Sequence, residues 1–174
     1  EAARAAGAAV VTRGAGTGLC GGANADDGCM LLSVHRMDEI LDIDTANRMA
    51  RVQPGVLNGD LKRAVAEHGL FYPPDPASYD ISSMGGNVAT NAGGLCCVRY
   101  GVTRHQVLGL TAVLGTGEVL RTGGKYVKAT SGYDLTQLII GSEGTLALAT
   151  EAILRLHPRL THGATVLVPF PGLD

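Results

Sequence analysis

The chain has 174 residues, of which 45% are hydrophobic and only 17% charged, and its formal net charge is -2. That length suits one domain with its own core, and the lack of a basic excess disfavours nucleic acid and anionic membrane surfaces as partners. The four cysteines form no CxxC pair, which favours a reduced cytoplasmic protein over a disulfide scaffold or a cysteine-based metal site.

The N-terminal half predicts short strands and one clear helix. Residues 1–11 (EAARAAGAAVV) indicate a helix and then a strand, and residues 29–34 (CMLLSV) form an apolar run of strand length. ILDID and ARVQPG predict a hairpin across TANR. Apolar spacing predicts a helix in VLNGDLKRAVAEHG, with Asn58 or Asp60 as its N-terminal cap and a left-handed Gly69 at its end.

The C-terminal half begins with a rigid connector, YPPDPASYD, because three prolines in four positions exclude regular structure. The segment SSMGGNVATNAGG is interpreted as a second glycine loop, and VLGLTAVL with EVLRT predicts a hairpin across GTG. DLTQLII predicts a short helix capped by Asp134. LALATEAILRL predicts a strand that ends at His157 and Pro158, and ATVLVPF predicts the first strand of a further unit.

Hairpins that alternate with isolated helices favour an α+β fold over a doubly wound parallel sheet, which needs a helix after almost every strand. Gly16, Gly18 and Gly21 do spell the GxGxxG dinucleotide fingerprint. The following residues, GANADDG, are turn formers and provide no helix N-terminus for a pyrophosphate. A Rossmann domain is therefore disfavoured.

Backbone amides in a glycine loop bind phosphate without a helix, because successive N–H groups form a concave nest. The chain has such a segment in RGAGTGLCGG, a second in MGGN and NAGG, and a third in GSEGT. Three glycine segments in one small domain suit a long ligand with an extended diphosphate. The four cysteines are interpreted as small buried hydrophobic residues.

Together the motifs RGAGTGLCGGA, QPGV, YPPDPASYDISSMGGNVATNAGG, VRYGVT and KATSGYDLTQLIIGSEGTLALATEAILRL resemble the FAD-binding domain of the vanillyl-alcohol-oxidase type. The chain is most similar to the glycolate oxidase FAD-linked subunit and D-lactate dehydrogenase family. The resemblance implies a two-subdomain FAD-binding fold with hairpin-rich mixed sheets and flanking helices. It implies that residues 1–161 are that domain, with an N-terminal part missing, and that residues 162–174 begin a truncated substrate domain.

The resemblance also implies which residues contact FAD. The first loop would hold the pyrophosphate, the connector and second segment would line the flavin and ribityl chain, and the third loop would close over the adenine side. Because Thr17 and Gly18 stand where covalent members carry histidine, the implied FAD is noncovalent. The implied cofactor residues are Gly14, Ala15, Gly16, Thr17, Gly18, Leu19, Pro74, Asp75, Met84, Gly85, Gly86, Asn87, Thr90, Asn91, Gly93, Gly94, Tyr100, Glu143, Gly144, Thr145 and Ala149.

The implied activity is oxidation of a 2-hydroxy acid of the D-lactate or glycolate type to the 2-oxo acid, by hydride transfer to flavin N5. The catalytic base and any metal site are expected outside this chain, which we expect to be inactive alone. The electron acceptor stays open among a quinone, a cytochrome, oxygen and a partner subunit. The resemblance implies a partner subunit or a respiratory-chain component as partner, and a location that is cytoplasmic or peripheral to the inner face of the membrane. The alternatives are a noncatalytic FAD-holding or interaction subunit and another oxidase or reductase of this fold.

Overall fold

The structure is a computed structural model that describes residues 1–170 and 172. Its helices are α1 (Ala2–Ala5), α2 (Asn58–Ala66), α3 (Met84–Thr90), α4 (Cys97–Tyr100), α5 (Thr103–Gln106) and α6 (Leu135–Ile139). Its strands are β1 (Val10–Arg13), β2 (Met30–Ser33), β3 (Ile40–Asp44), β4 (Met49–Val52), β5 (Leu70–Phe71), β6 (Val107–Leu114), β7 (Val119–Gly123), β8 (Ala147–Arg155) and β9 (His157–Pro158).

An antiparallel sheet with the strand order β3-β4-β8-β6-β7 forms the centre of the molecule. Both predicted hairpins are confirmed within it, β3 with β4 and β6 with β7. Strands β1 and β2 pair in parallel as a separate two-stranded sheet, and β5 pairs with β9. This mixture of sheets and short helices confirms the predicted α+β class.

One cluster of buried apolar side chains joins this sheet to α2, α3 and α6. Leu61 and Val65 of α2 are fully buried, and they share the cluster with Val52 of β4, Leu154 of β8 and Tyr72 of the connector. Burial of side chains of this size stabilises a fold by about 1.5–3 kcal/mol each. The proline-rich connector is therefore anchored in the core next to the sheet.

The prediction of the α2 helix is confirmed, but the prediction of its cap is wrong. The N-cap is Leu57, which makes no side-chain capping bond. Asn58 is fully buried instead, where its Nδ2 donates to the Pro74 carbonyl at 3.2 Å. Asp60 pairs with Arg63 at 2.6 Å. The predicted left-handed glycine is confirmed, since Gly69 has a φ of +67°.

The first part of the second glycine segment is a helix, α3, so its interpretation as an exposed loop is wrong for Met84–Thr90, whereas residues 91–94 lie outside helix and strand. Ser83 caps this helix by accepting a hydrogen bond from the Gly86 amide, and Met84, Asn87 and Val88 are buried at helical spacing. Gly85 serves close packing, because a Cβ there would lie 2.6 Å from Cβ of Pro54. Asn91 ends the helix in the left-handed conformation.

The C-terminal predictions need two corrections. Strand β8 ends at Arg155, and His157 and Pro158 form β9 because they pair with Phe71 and Leu70. In residues 164–170, which the structure describes, the predicted strand ATVLVPF does not form. Residues 171, 173 and 174 of the predicted second domain lie outside the described residues. Among the described residues, no helix is both long and apolar enough to span a bilayer.

Candidate functional site

A cavity of about 370 Å³ lies where the three predicted glycine segments meet. Its size falls in the range of roughly 300–1,000 Å³ that is typical of small-molecule sites. Residues 12–23 form one wall, α3 with the following Gly93 forms a second, and residues 142–144 with the start of β8 form a third. The predicted convergence on a single cavity is confirmed.

The first glycine segment leaves β1 and presents its backbone to this cavity. The hydroxyl of Ser83 accepts hydrogen bonds from the amides of Ala15 at 3.1 Å and Gly86 at 3.4 Å, which joins the loop to the start of α3. Within residues 1–170 and 172, the amides of residues 16–19 have no acceptor. Gly16 has a φ of +71°, so a left-handed turn presents these free donors.

Residues 14–29, all of which the structure describes, contain no helix after the glycines. The GxGxxG match therefore lacks the helix N-terminus that a Rossmann site needs, as the sequence indicates.

The third glycine segment is fixed to the end of α3 by two backbone hydrogen bonds. The amides of Gly141 and Glu143 donate to the carbonyls of Val88 at 3.0 Å and Ala89 at 2.9 Å. Glu143 adopts a φ of 53°, which is uncommon for a residue with a side chain. Residues in such conformations are found most often at functional sites. The Glu143 carboxylate lies across from the first loop, since a Cβ on Gly22 would be 3.0 Å from its Oε2.

Two buried polar atoms of cavity-lining residues have no hydrogen-bond partner within the part of the chain that the structure describes. They are Nδ2 of Asn87 and Oγ of Ser142. An unpartnered buried donor costs about 1–3 kcal/mol, so such groups are expected where a ligand completes the hydrogen bonding. Together with the free loop amides, these donors fit a ligand rich in anionic and carbonyl oxygens.

The cavity brings together most of the residues that the sequence predicts for the cofactor. Those that line it are Gly14, Ala15, Gly16, Thr17, Gly18, Leu19, Gly85, Gly86, Asn87, Thr90, Gly93, Glu143, Gly144 and Ala149. The predicted residues that do not line it are Pro74, Asp75, Met84, Asn91, Gly94, Tyr100 and Thr145.

The residues outside the lining have other contacts. Met84 is fully buried in the core, and the Asp75 carboxylate accepts a hydrogen bond from the Cys96 amide at 2.9 Å. Tyr100 packs edge-on against His157, with ring centroids 5.1 Å apart. The cysteine prediction is also wrong: Cys20 is exposed and the other three cysteines are only partly buried.

The residues that line the cavity and that sequence reasoning missed include Pro54, Ser83 and Ser142. The signal for Ser83 was present, because serine directly before a helix is a preferred N-cap, but the helix itself was not predicted. Pro54 lies in the QPGV motif and Ser142 in the third glycine segment. Their roles depend on tertiary contacts that no local pattern specifies.

A family model described as an FAD binding domain matches residues 1–123. The chain belongs to this family of FAD-binding domains. FAD is accordingly its cofactor, and its diphosphate, its ribityl and ribose hydroxyls and its flavin carbonyls match the free donors of the cavity. The fold of the vanillyl-alcohol-oxidase type is thereby confirmed, and so is the predicted FAD.

The relatives are longer proteins. An uncharacterized FAD-linked oxidoreductase of Mycobacterium tuberculosis is 58% identical over 97% of this chain and 36% of its own length. Glycolate oxidase subunit GlcD of Bacillus subtilis is 50% identical over 95% of this chain and 35% of its own length. A D-lactate dehydrogenase of Anaerostipes hadrus is 43% identical over 95% of this chain and 34% of its own length. The chain thus spans about a third of these relatives.

A solved structure shares the fold of this FAD-binding domain. Alkyldihydroxyacetonephosphate synthase superposes with a TM-score of 0.77 at 25% identity, over 90% of this chain and 30% of the other.

Replacing Ser83 by alanine should lower the free energy of unfolding by about 1–2 kcal/mol and weaken FAD binding several-fold. The hydroxyl holds the Ala15 amide as well as the cap of α3, so its loss also loosens the first loop. Urea unfolding and titration with FAD measure the two effects.

The matched control is Asp134→Ala, which removes the equivalent cap of α6, where Asp134 accepts from the Gln137 amide at 3.0 Å. Asp134 does not line the cavity, so only stability should fall. Equal FAD affinity in the two variants would contradict a link between Ser83 and the loop.

Proposed function

We propose that the chain is the FAD-binding portion of an oxidoreductase that oxidises a 2-hydroxy acid of the D-lactate or glycolate type to the 2-oxo acid. The convergence of three glycine segments on one cavity carries the cofactor part of this proposal. The substrate class is supported by relatives whose names are glycolate oxidase subunit and D-lactate dehydrogenase. A relative named D-2-hydroxyglutarate dehydrogenase, 45% identical over 95% of this chain, has the same substrate chemistry.

Each wall of the cavity has its own role in holding FAD. The unpaired amides of residues 16–19 would bind the diphosphate, because backbone nests favour anions. Asn87 and Ser142 would donate to neighbouring oxygens and so gain the partners they lack within the described residues. Neither Thr17 nor Gly18 is suited to covalent attachment of a flavin, so the proposed FAD is noncovalent.

When bound, FAD supplies the redox chemistry, and the chain supplies binding, orientation and exclusion of water. The apolar side chains of Val34, Val88 and Ile139 line the floor of the cavity and exclude water from it. Among residues 1–170 and 172, no group of three or more His, Cys, Asp and Glu side chains is placed to hold a metal ion. We infer that the catalytic base, which removes the proton of the substrate hydroxyl, and any metal site belong to a second domain that begins within residues 162–174.

The proposed oxidoreductase also needs a partner that accepts its electrons. The name of the Bacillus subtilis relative describes it as a subunit, and we infer that a partner subunit or a respiratory-chain component accepts the electrons. A longer protein that contains this chain should, when tagged and purified, bring down a stoichiometric partner subunit. If it does not, its activity should depend on added quinone.

The decisive experiment compares this chain with a longer protein that contains it. The purified chain, incubated with FAD and desalted, should retain a flavin absorption spectrum but reduce dichlorophenolindophenol only slowly with D-lactate or glycolate. The longer protein should reduce the dye with one of these acids and not with the L-enantiomer of lactate. Retained flavin without turnover of any 2-hydroxy acid by the longer protein would contradict the proposed substrate class.

A further inference from the structure

Lys62 of α2 is placed beneath the proline-rich connector, which runs towards the cavity. Its Nζ donates to the carbonyl of Tyr72 at 2.6 Å and lies 3.5 Å from that of Pro73. The same ammonium faces the rings of Phe71, Tyr72 and Tyr79, at 5.2, 5.8 and 5.8 Å from their centroids. Desolvated ammonium groups gain from such ring faces, so the side chain is held in one place although it is partly buried.

The positive charge of Lys62 lies near an acidic residue of the connector, Asp75. Burial lowers the pKa of the Lys62 ammonium, and the nearby Asp75 opposes that shift by favouring the charged form. A half-buried cation is costly without such a counter-charge. Asp75 therefore favours the charged form of Lys62.

Asp75 in turn fixes the end of the second glycine segment. Its Oδ1 accepts the hydrogen bond from the Cys96 amide at 2.9 Å. Gly94 packs so closely on Asp75 that a Cβ there would overlap the Asp75 carbonyl and carboxylate. The neighbouring Ala92 and Gly93 line the cavity, so Asp75 supports that wall from behind.

We propose that Lys62 is a positioning residue for the FAD cavity: it holds residues 72–75 in place, and Asp75 then fixes the backbone at Gly94 and Cys96 behind the cavity wall. The proposal rests on the proposed function, since it assumes that FAD occupies this cavity. Lys62 itself does not line the cavity, and its donors point at the Tyr72 and Pro73 carbonyls. It acts through Asp75 and the connector without touching the ligand.

The thiol of Cys96 is a local reporter of this arrangement. Burial raises the pKa of the Cys96 thiol, the adjacent Asp75 raises it further through a hydrogen bond and its negative charge, and the Lys62 cation partly opposes the shift. While Asp75 is held in place, Cys96 should react slowly with iodoacetamide. The exposed Cys20 provides an internal reference for labelling.

The test uses Lys62→Met, Lys62→Arg and Asp75→Ala in this chain, with FAD titrated by flavin fluorescence. Lys62→Met should raise the FAD dissociation constant about 10-fold, the scale expected for losing a charge-assisted hydrogen bond, and Lys62→Arg should restore most of the affinity. Labelling of Cys96 should accelerate in Asp75→Ala, which removes the hydrogen bond and charge that raise the thiol's pKa. It should also accelerate in Lys62→Met, where exposure of the thiol by the released connector outweighs the loss of the Lys62 cation, while labelling of Cys20 stays constant.

The matched control is Lys125→Met, because Lys125 bonds Asp42 at 3.0 Å and Asp44 at 3.1 Å on the far hairpin. It should change neither the dissociation constant nor the labelling. Unchanged affinity and labelling in Lys62→Met, or an equal loss in Lys125→Met, would overturn the proposal. Should Lys62→Met not fold, failure of Lys62→Arg to retain FAD or of Asp75→Ala to expose Cys96 would overturn it. If the unaltered chain binds no FAD, the proposed function fails and the labelling of Cys96 still decides the role of Lys62.

Discussion

Replacing Gly18 by valine is expected to raise the FAD dissociation constant at least about 100-fold while the melting temperature stays within about 2 °C of the unaltered chain. Gly18 lines the cavity, and a Cβ built on it meets no atom within 4 Å. Its backbone is not in the left-handed region, so valine fits without strain. The added methyl groups would enter open space beside the cavity, where they would compete with the diphosphate that we propose to lie there.

The control for this prediction is Gly115→Val in the turn between β6 and β7. Gly115 also has no atom within 4 Å of a built Cβ and has no left-handed φ, but it does not line the cavity. This variant should bind FAD like the unaltered chain. If Gly18→Val retains full affinity in a fluorescence titration, FAD does not pass over the first glycine loop.

The sequence specified the hairpins and the convergence of glycine segments because both follow local rules. The segments VLGLTAVL and EVLRT on either side of GTG predict β6 and β7, and the structure pairs them as expected. Successive glycines predict exposed amides wherever a left-handed turn is needed, as at Gly16 and Gly144, whose φ values are +71° and +81°.

Helix α3 shows where the same rule fails. Gly85 and Gly86 disfavour a helix by about 1 kcal/mol each relative to alanine, so the local preference is for a loop. Tertiary packing reverses it, because Gly85 lies directly against Pro54, with the amide of Gly85 donating to the Pro54 carbonyl at 2.8 Å. A glycine selected for a close approach and a glycine selected for a turn look identical in a single sequence.

The hydrogen bond by which Asp75 fixes the Cys96 amide also could not be predicted from local sequence patterns. The Cys96 amide lies 21 residues further along the chain, and no spacing rule links a connector to the start of a helix such as α4. The motif YPPDPASYDISSMGGNVATNAGG therefore indicated the right region of the cavity. It did not indicate which of its side chains face the ligand and which support the cavity wall from behind.

Replacing Asn87 by leucine should weaken FAD binding by about 10- to 100-fold while leaving the free energy of unfolding of the chain without FAD equal or up to about 1 kcal/mol higher. This combination follows because Nδ2 of Asn87 is buried without a partner among the described residues, so the side chain costs stability until a ligand accepts its hydrogen bond. Calorimetric melting without FAD and fluorescence titration with it give the two quantities.

A buried polar group that already has its partner should behave in the opposite way. Thr136 bonds Thr122 through their hydroxyls at 2.8 Å and does not line the cavity, so Thr136→Val should lose about 1 kcal/mol of stability and no FAD affinity. If Asn87→Leu instead lost stability and kept its affinity, Asn87 would be a structural residue of α3. The sign of the stability change therefore separates a donor that is free for a ligand from one that the fold itself requires.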